Sequence, residues 1–354
     1  MPKSGSFIRT STALAAAAAV AALSAGGAAG APAKSSGGAL QGAGSSLVAP
    51  ALAIWGPLYS EARGVTVNYS SVGSGAGIAA ITARTVDFGA SDAPLTPDQT
   101  TACKDCVQIP WALTATVPVF NVPGVKDIQL RLDGPTLANI FLGKITTWDA
   151  PAIKKLNAGL SLPSTKITVV HRSDGSGDSY VFTDYLSKVS PAWKKQVGSA
   201  TSVDWPTGIG GKGNSGVAAA VASTPGSIGY VSDAYVLQNH LAKARLKNAS
   251  GRYTLPSIKS IGEAASLVKS VPADMNVSIT NPPKAASRKL RDAWPLSTFT
   301  YIIVPHTTAK AKEIKNFVSW ALTHGQPPIR KYVFAPMPLV MVKAANKALA
   351  KVHS

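Results

Sequence analysis

From Leu40 onward, short apolar runs, loops of Gly and Ser, and amphipathic stretches follow one another in a repeating order. In the first repeat, Leu40-Gln41-Gly42-Ala43-Gly44-Ser45-Ser46 leads into a stretch that carries Leu52, Ile54, Trp55 and Leu58 at helical spacing. In the second, Val65-Thr66-Val67-Asn68-Tyr69 alternates like a strand. It passes through Gly73-Ser74-Gly75-Ala76-Gly77 and continues into Ile78-Ala79-Ala80-Ile81. The third runs from Ile167-Thr168-Val169-Val170-His171-Arg172 through Ser173-Asp174-Gly175-Ser176-Gly177 into a helix expected over residues 178–186. A further apolar strand, Val86-Asp87-Phe88-Gly89-Ala90-Ser91, ends at Asp92. Strands alternating with helices in this way predict an α/β fold.

The repetition has a chemical use. The first N–H groups of a helix have no partner within it, and they sit at the positive end of its dipole, so each helix start is a potential anion site. Glycine lets the backbone approach a ligand closely, and Ser hydroxyls rotate to donate where needed. In open α/β sheets such loops gather at the carboxyl ends of the strands, where ligands bind. Any one Gly-Ser loop is more often an ordinary turn. Three of them, with Arg172 at the end of a strand, suit a small tetrahedral oxyanion.

The N-terminus adds a compartment. Lys3 and Arg9 precede an apolar run over residues 13–23 and a small-residue stretch over residues 24–33, the three-part order of a secretory signal peptide. Ala31-Pro32-Ala33 is a plausible exit, with Ala29 as the other, so residues 1–33 are read as the signal peptide and 34–39 as a flexible segment. The run is too short for a membrane span, which needs ~20 apolar residues. Neither cysteine lies near the exit, so no lipid-anchor cysteine is present. The mature chain is expected in the periplasm or on the exterior of the cell envelope.

Composition narrows the partners. Lys+Arg number 35 against 17 Asp+Glu, a formal net charge of +18 that falls to +16 once Lys3 and Arg9 are removed. The lysines are scattered, and no arginine-rich run or zinc-finger spacing appears, so nucleic acid is not expected as a partner. Cys103-Lys104-Asp105-Cys106 has no second pair, and an oxidising compartment favours a local disulfide over two free thiols.

Enzymatic signatures are missing from the sequence. There is no Gly-x-Ser-x-Gly elbow, and Gly210-Gly211-Lys212-Gly213 lacks the spacing of a nucleotide-binding P-loop. The histidines (His171, His240, His306, His324, His353) and the acids Asp149, Asp174 and Asp233 show no metal-ligand spacing, so neither metal nor cofactor is expected. His171 adjoins Arg172 but should face the other side of its strand.

Six strings, in order, resemble the phosphate-binding proteins of bacterial ABC-type phosphate importers, the PstS family. They are Gly42-Ala43-Gly44-Ser45-Ser46; Asn68-Tyr69 with Gly73-Ser74-Gly75; and Val86-Asp87-Phe88-Gly89-Ala90-Ser91-Asp92-Ala93-Pro94-Leu95. The other three are Leu142-Gly143-Lys144-Ile145 with Trp148-Asp149; Arg172-Ser173-Asp174-Gly175-Ser176-Gly177; and Gly210-Gly211-Lys212-Gly213-Asn214. The resemblance implies a type 2 periplasmic-binding-protein fold, two α/β lobes joined by two hinge segments with the ligand cleft between them. Residues 40–112 and 297–354 would form lobe I and residues 113–296 lobe II, with crossings near residues 109–116 and 294–298.

It also implies a ligand set: Ser46, Leu47 through its backbone N–H, Ser74, Asp92, Arg172, Ser176, Gly177 and Asp178. Asp174 would steady the Arg172 guanidinium. Asp92, a pure acceptor when ionised, would read the proton that phosphate carries and sulfate lacks. Leu47 stands where the family commonly has Phe. Asp178 stands where it commonly has Thr, and two orientations are open for its side chain, toward the ligand or turned away to cap the helix. The implied role is capture of inorganic phosphate by a monomer, without catalysis, for delivery to the permease and ATPase subunits of the importer. Its rivals are a secreted phosphatase, or a binder of another oxyanion or a phosphate ester, at the same anion site.

Overall fold

The computed structural model describes residues 37–284 and 290–354. The signal-peptide reading of residues 1–33 lies outside the described residues. Among the described residues, twelve strands alternate with helices: β1 (Gly37–Gly44), β2 (Val65–Ser71), β3 (Phe88–Ser91), β4 (Cys106–Asn121), β5 (Arg131–Leu132), β6 (Thr168–Arg172), β7 (Ile209–Gly211), β8 (Ser227–Ser232), β9 (Ala242–Lys243), β10 (Arg245–Lys247), β11 (Tyr253–Thr254) and β12 (Ser297–Pro305). Residues 37–39, expected to be flexible, form the start of β1, with Gly37 opposite Val65.

Among the described residues the main sheet runs β2-β1-β3-β12-β4-β8-β6-β7, with β9 also on β4, while β11-β10-β5 form a small separate sheet. The pairs β1–β2, β1–β3, β6–β8 and β6–β7 are parallel. β12 is antiparallel to both β3 and β4, and β4 is antiparallel to β8. β4 joins the two halves of the sheet. Its residues 106–115 pair with β12, and from Thr116 it pairs with β8 instead. At the change of partner the Thr116 N–H donates to the Leu296 carbonyl (3.0 Å), and the Trp294 indole donates to the Thr116 carbonyl (3.0 Å).

β4 is buried almost throughout, as a strand covered on both faces should be. It nonetheless contains Pro110 and Pro118, each without an N–H to give the ladder. The register slips beside Pro110, where Thr300 faces Ala112 and Tyr301 faces Pro110, leaving Trp111 as the extra residue. Each half has an aromatic centre. Trp55 meets Trp111 edge-on at 5.3 Å on one side, and Phe182 stacks on Tyr230 at 4.4 Å on the other. Buried side chains connect the two into one continuous cluster.

The first predicted helix is Ala49–Arg63. Pro50 stands in its first turn, where no N–H is needed, and Gly64, at φ 70°, ends it in the left-handed conformation that glycine adopts without strain. Its buried stripe is Leu52, Trp55 and Tyr59, and Leu58 lies on the exposed side. The third predicted helix spans Gly177–Val189, beginning one residue and ending three residues beyond the expected span.

The cysteine pair is closed as a Cys103–Cys106 disulfide at the start of β4, and Arg84 Nη1 donates to Cys106 Sγ at 3.1 Å. So short a loop removes little freedom from the unfolded chain. Chain-entropy arithmetic gives about 2 kcal/mol. Reduction should therefore lower the melting temperature by only a few degrees, which calorimetry with and without reductant would check. Collapse of the fold on reduction would contradict it.

Candidate functional site

The helices Ala49–Arg63, Ser74–Thr82, Gly177–Val189 and Gly213–Ser223 all begin around one buried cluster of polar side chains. The first two follow β1 and β2, in one half of the sheet, and the last two follow β6 and β7, in the other. Asp92, just past the end of β3, lies at the centre and is 1% exposed. Its Oδ2 accepts from the Ser45 hydroxyl at 2.5 Å and from the Ser74 hydroxyl at 3.4 Å. Its Oδ1 is buried with no hydrogen-bond partner among the described residues. The Ser45 hydroxyl also receives the Leu47 N–H (3.0 Å), and the Tyr69 hydroxyl holds the Ser45 carbonyl (2.8 Å).

Arg172 ends β6 and is 3% exposed. Its guanidinium forks onto Asp174, Nε to Oδ1 at 2.8 Å and Nη2 to Oδ2 at 2.6 Å, a bidentate geometry that fixes the plane of the group. Its Nη1 reaches Asp178 Oδ2 at 3.3 Å. Asp178 is fully buried. It also accepts from the Thr116 hydroxyl at 2.6 Å and from Asn214 Nδ2 at 2.6 Å. Ser176 takes the capping role at the helix start, its hydroxyl accepting the Ser179 N–H at 3.1 Å. The Asp178 side chain thus points toward Arg172, Thr116 and Asn214, and the capping of its helix falls to Ser176.

The two halves touch directly across the cluster. The Gly177 N–H donates to the Ser74 hydroxyl at 3.0 Å, and the Gly75 N–H donates to the Gly175 carbonyl at 2.9 Å. A Cβ on Gly177 would overlap the Asp92 carboxylate, and one on Gly73 would overlap Asp174, so glycine at these positions permits the approach. The His171 ring stacks on Trp205 at 4.9 Å, and its Nδ1 lies 3.1 Å from the Arg172 carbonyl. Among the described residues, no group of three or more His, Cys, Asp or Glu side chains could hold a metal ion. Nor is any helix among them long and apolar enough to cross a membrane.

A model of the PBP superfamily domain matches residues 27–324. A phosphate-binding protein PstS of Xylella fastidiosa is 44% identical over 308 residues, covering 86% of this chain and 83% of that protein. The chain belongs to the PstS family. Another PstS, from Haemophilus influenzae, is 43% identical over 310 residues, covering 86% of this chain and 90% of that one. Among solved structures, the high affinity periplasmic phosphate-binding protein PfluDING, bound with phosphate, superposes with a TM-score of 0.69. It is 21% identical and covers 87% of this chain and 93% of its own. The fold is the two-lobe periplasmic-binding fold.

Within this PstS chain, the residues singled out from sequence come together. Ser46, Leu47, Ser74, Asp92, Arg172, Ser176, Gly177 and Asp178 are all buried in or beside the cluster. Asp174 grips Arg172 as expected, and also receives the Gly213 N–H at 2.9 Å. The backbone N–H of Leu47, expected to serve a ligand, here serves Ser45. Sequence reasoning missed three participants: Ser45 on Asp92, Thr116 on Asp178, and Asn214, which bonds both Ser46 and Asp178. A fourth Gly-rich helix start, Gly213-Asn214, is visible in the sequence as a string, and its part in the site rests on contacts distant along the chain.

Charge in the PstS cluster is finely opposed. Burial, then the negative charge of Asp178, raises the Asp92 carboxyl from 3.8 to about 7, against the pull of Ser45, Thr300 and Arg172. Burial raises Asp178 as well, by more than Arg172, Thr116 and Asn214 lower it. For Asp174 burial also pushes upward, but the Arg172 fork and the Gly213 N–H outweigh it and hold the group below its ordinary value. A raised carboxyl binds its proton more tightly folded than unfolded. Its contribution to stability is therefore complete below about pH 4 and is lost as pH climbs toward 7. Asp92→Asn cannot titrate, so the ligand-free variant should lose less melting temperature than wild type between those pH values. Parallel melting curves by circular dichroism would refute that assignment.

Proposed function

We propose that this chain captures inorganic phosphate outside the cytoplasm and passes it to the permease and ATPase subunits of an ABC-type importer, without chemical turnover. The observation that carries the reading is Asp92 Oδ1, a buried acceptor with no partner, set beside Arg172 and the Ser45 and Ser74 hydroxyls. An unpaired buried acceptor is costly unless something donates to it. Phosphate at neutral pH carries a proton to donate there, and its other oxygens accept from Arg172, Ser46, Ser74, Ser176 and the N–H groups at the helix starts. The names borne by the PstS relatives support the same ligand.

In this reading lobe I is 40–112 with 297–354, and lobe II is 113–296. The Gly177 N–H and Ser74 hydroxyl, bonded to each other here, turn to ligand oxygens from opposite lobes. Residues 1–33 direct export, and the protein acts as a monomer in the periplasm or on the envelope exterior. Calorimetric titration with phosphate, arsenate and sulfate tests it. Phosphate should bind one to one, arsenate should compete, and sulfate should be weaker by ~100-fold or more, since it leaves Asp92 unpaired. No binding of phosphate, or sulfate binding as tightly, would overturn the proposal.

A further inference from the structure

We propose that Asn214 is the latch that holds the two lobes closed around the bound anion, a positioning residue acting through Ser46 on one lobe and Asp178 on the other. This rests on the phosphate-binding reading and names what steadies the closed form of that site. Gly210-Gly211-Lys212-Gly213-Asn214 is the Gly-rich loop that supplies none of the proposed ligands, yet its last residue is fully buried among them. The Asn214 amide donates from Nδ2 to Ser46 Oγ at 2.9 Å and to Asp178 Oδ2 at 2.6 Å. Its backbone N–H donates to the same Ser46 oxygen at 3.2 Å.

The direction of the amide is not free. Its Oδ1 accepts the Ser232 N–H at 2.7 Å, at the end of β8, so a flipped amide would set two donors against each other. With the oxygen held by the strand, the two amide protons are left for Ser46 and Asp178, one from each lobe. Asp178 in turn holds the Thr116 hydroxyl of β4, at the point where that strand changes partner. A single line of hydrogen bonds thus runs from lobe I, through Asn214 and Asp178, to the strand that crosses between the lobes. Parting the lobes breaks the Ser46 end and leaves the Asp178 end intact. The latch therefore acts on the closed state and on ligand release, and has little to do with ligand entry.

Asn214→Asp keeps the shape and the acceptor for Ser232 but turns an oxygen toward Ser46 and Asp178. Stopped-flow measurement with inorganic phosphate should show release 10- to 100-fold faster than wild type, with association changed by less than about threefold. Adding Asp178→Asn repairs only the contact that stays intact on opening, so the double variant should regain melting temperature while its release stays within about threefold of Asn214→Asp. A residue that merely packs would shift melting temperature without this split between rates. Asn214→Ala, which also loses the donor to Ser46, should show the same acceleration if the Asp variant does not fold. Unchanged release in a folded variant overturns the latch. Wild type failing to bind phosphate instead overturns the reading on which it rests.

Discussion

Replacing Arg172 with alanine should weaken phosphate binding by several hundredfold or more, on the order of 3–5 kcal/mol, the cost of removing one member of a buried charge pair. The guanidinium is the cation against which Asp174 and Asp178 are set, and it is nearly inaccessible to water. Without it, an incoming dianion meets Asp92, Asp174 and Asp178 with only neutral donors to offset them. Arg172→Lys should fall between, because an ammonium supplies the charge but not the planar fork that meets Asp174 with two bonds. Calorimetry on both variants, with melting curves to confirm folding, makes the comparison. Affinity close to wild type in Arg172→Ala would mean the anion binds elsewhere.

Which parts of this arrangement could be read from the chain follows from how local each signal is. The loops before Ser74 and Gly177 announce themselves, because strand, glycine-rich turn and helix are consecutive and the period changes from two to 3.6 across each. Asp92 and Arg172 each end an apolar strand, where an open α/β sheet presents its ligands. Asn214 gave no such signal. Its strand, β7, is only the three residues Ile209–Gly211, too short to show alternation. Its partner Ser46 is 168 residues away in sequence. Thr116 was hidden in the same way, deep in a strand whose composition speaks only of burial, with Asp178 62 residues distant.

Backbone donors were the least legible of all. That the Leu47 N–H turns to the Ser45 hydroxyl depends on the exact course of the chain between β1 and its helix, which spacing does not determine. Helix faces were legible to about one position, which is why Tyr59 rather than Leu58 lines the core.

The presence of three acids beside one guanidinium looks unsuited to an anion until their partners are counted. Asp174 pairs with Arg172 through two bonds, and Asp178 shares the same guanidinium through the third while accepting from Thr116 and Asn214. The Ser45 and Ser74 hydroxyls both reach Asp92 Oδ2, and burial with the charge of Asp178 raises the carboxyl to about 7. Asp178 is raised as well, but of the three acids Asp92 alone has an oxygen buried without a partner among the described residues, so its charge depends on what stands next to it. Such a group can tell a protonated oxyanion from a fully ionised one.

Asp92→Asn should on that account improve sulfate binding while phosphate loses little, collapsing the preference between them by a factor of ten or more. The direction follows from which oxygen is already engaged. The Ser45 hydroxyl donates to Oδ2, so in the variant the amide oxygen takes that place and the NH₂ points where Oδ1 stood without a partner. Above about pH 7, where Asp92 is ionised, sulfate has no proton and meets a buried carboxylate oxygen there in the wild type. In the variant it meets a donor, and an unpaired repulsive contact becomes a hydrogen bond. Phosphate gives up its proton's acceptor but gains the same donor for a deprotonated oxygen, so its own affinity should fall by tenfold at most. Competition titrations of both anions against wild type and variant, at fixed ionic strength, read the ratio directly. If sulfate binding stays undetectable in the variant while phosphate affinity is unaltered, Asp92 does not sense the ligand's proton, and discrimination must be built into another part of the cluster.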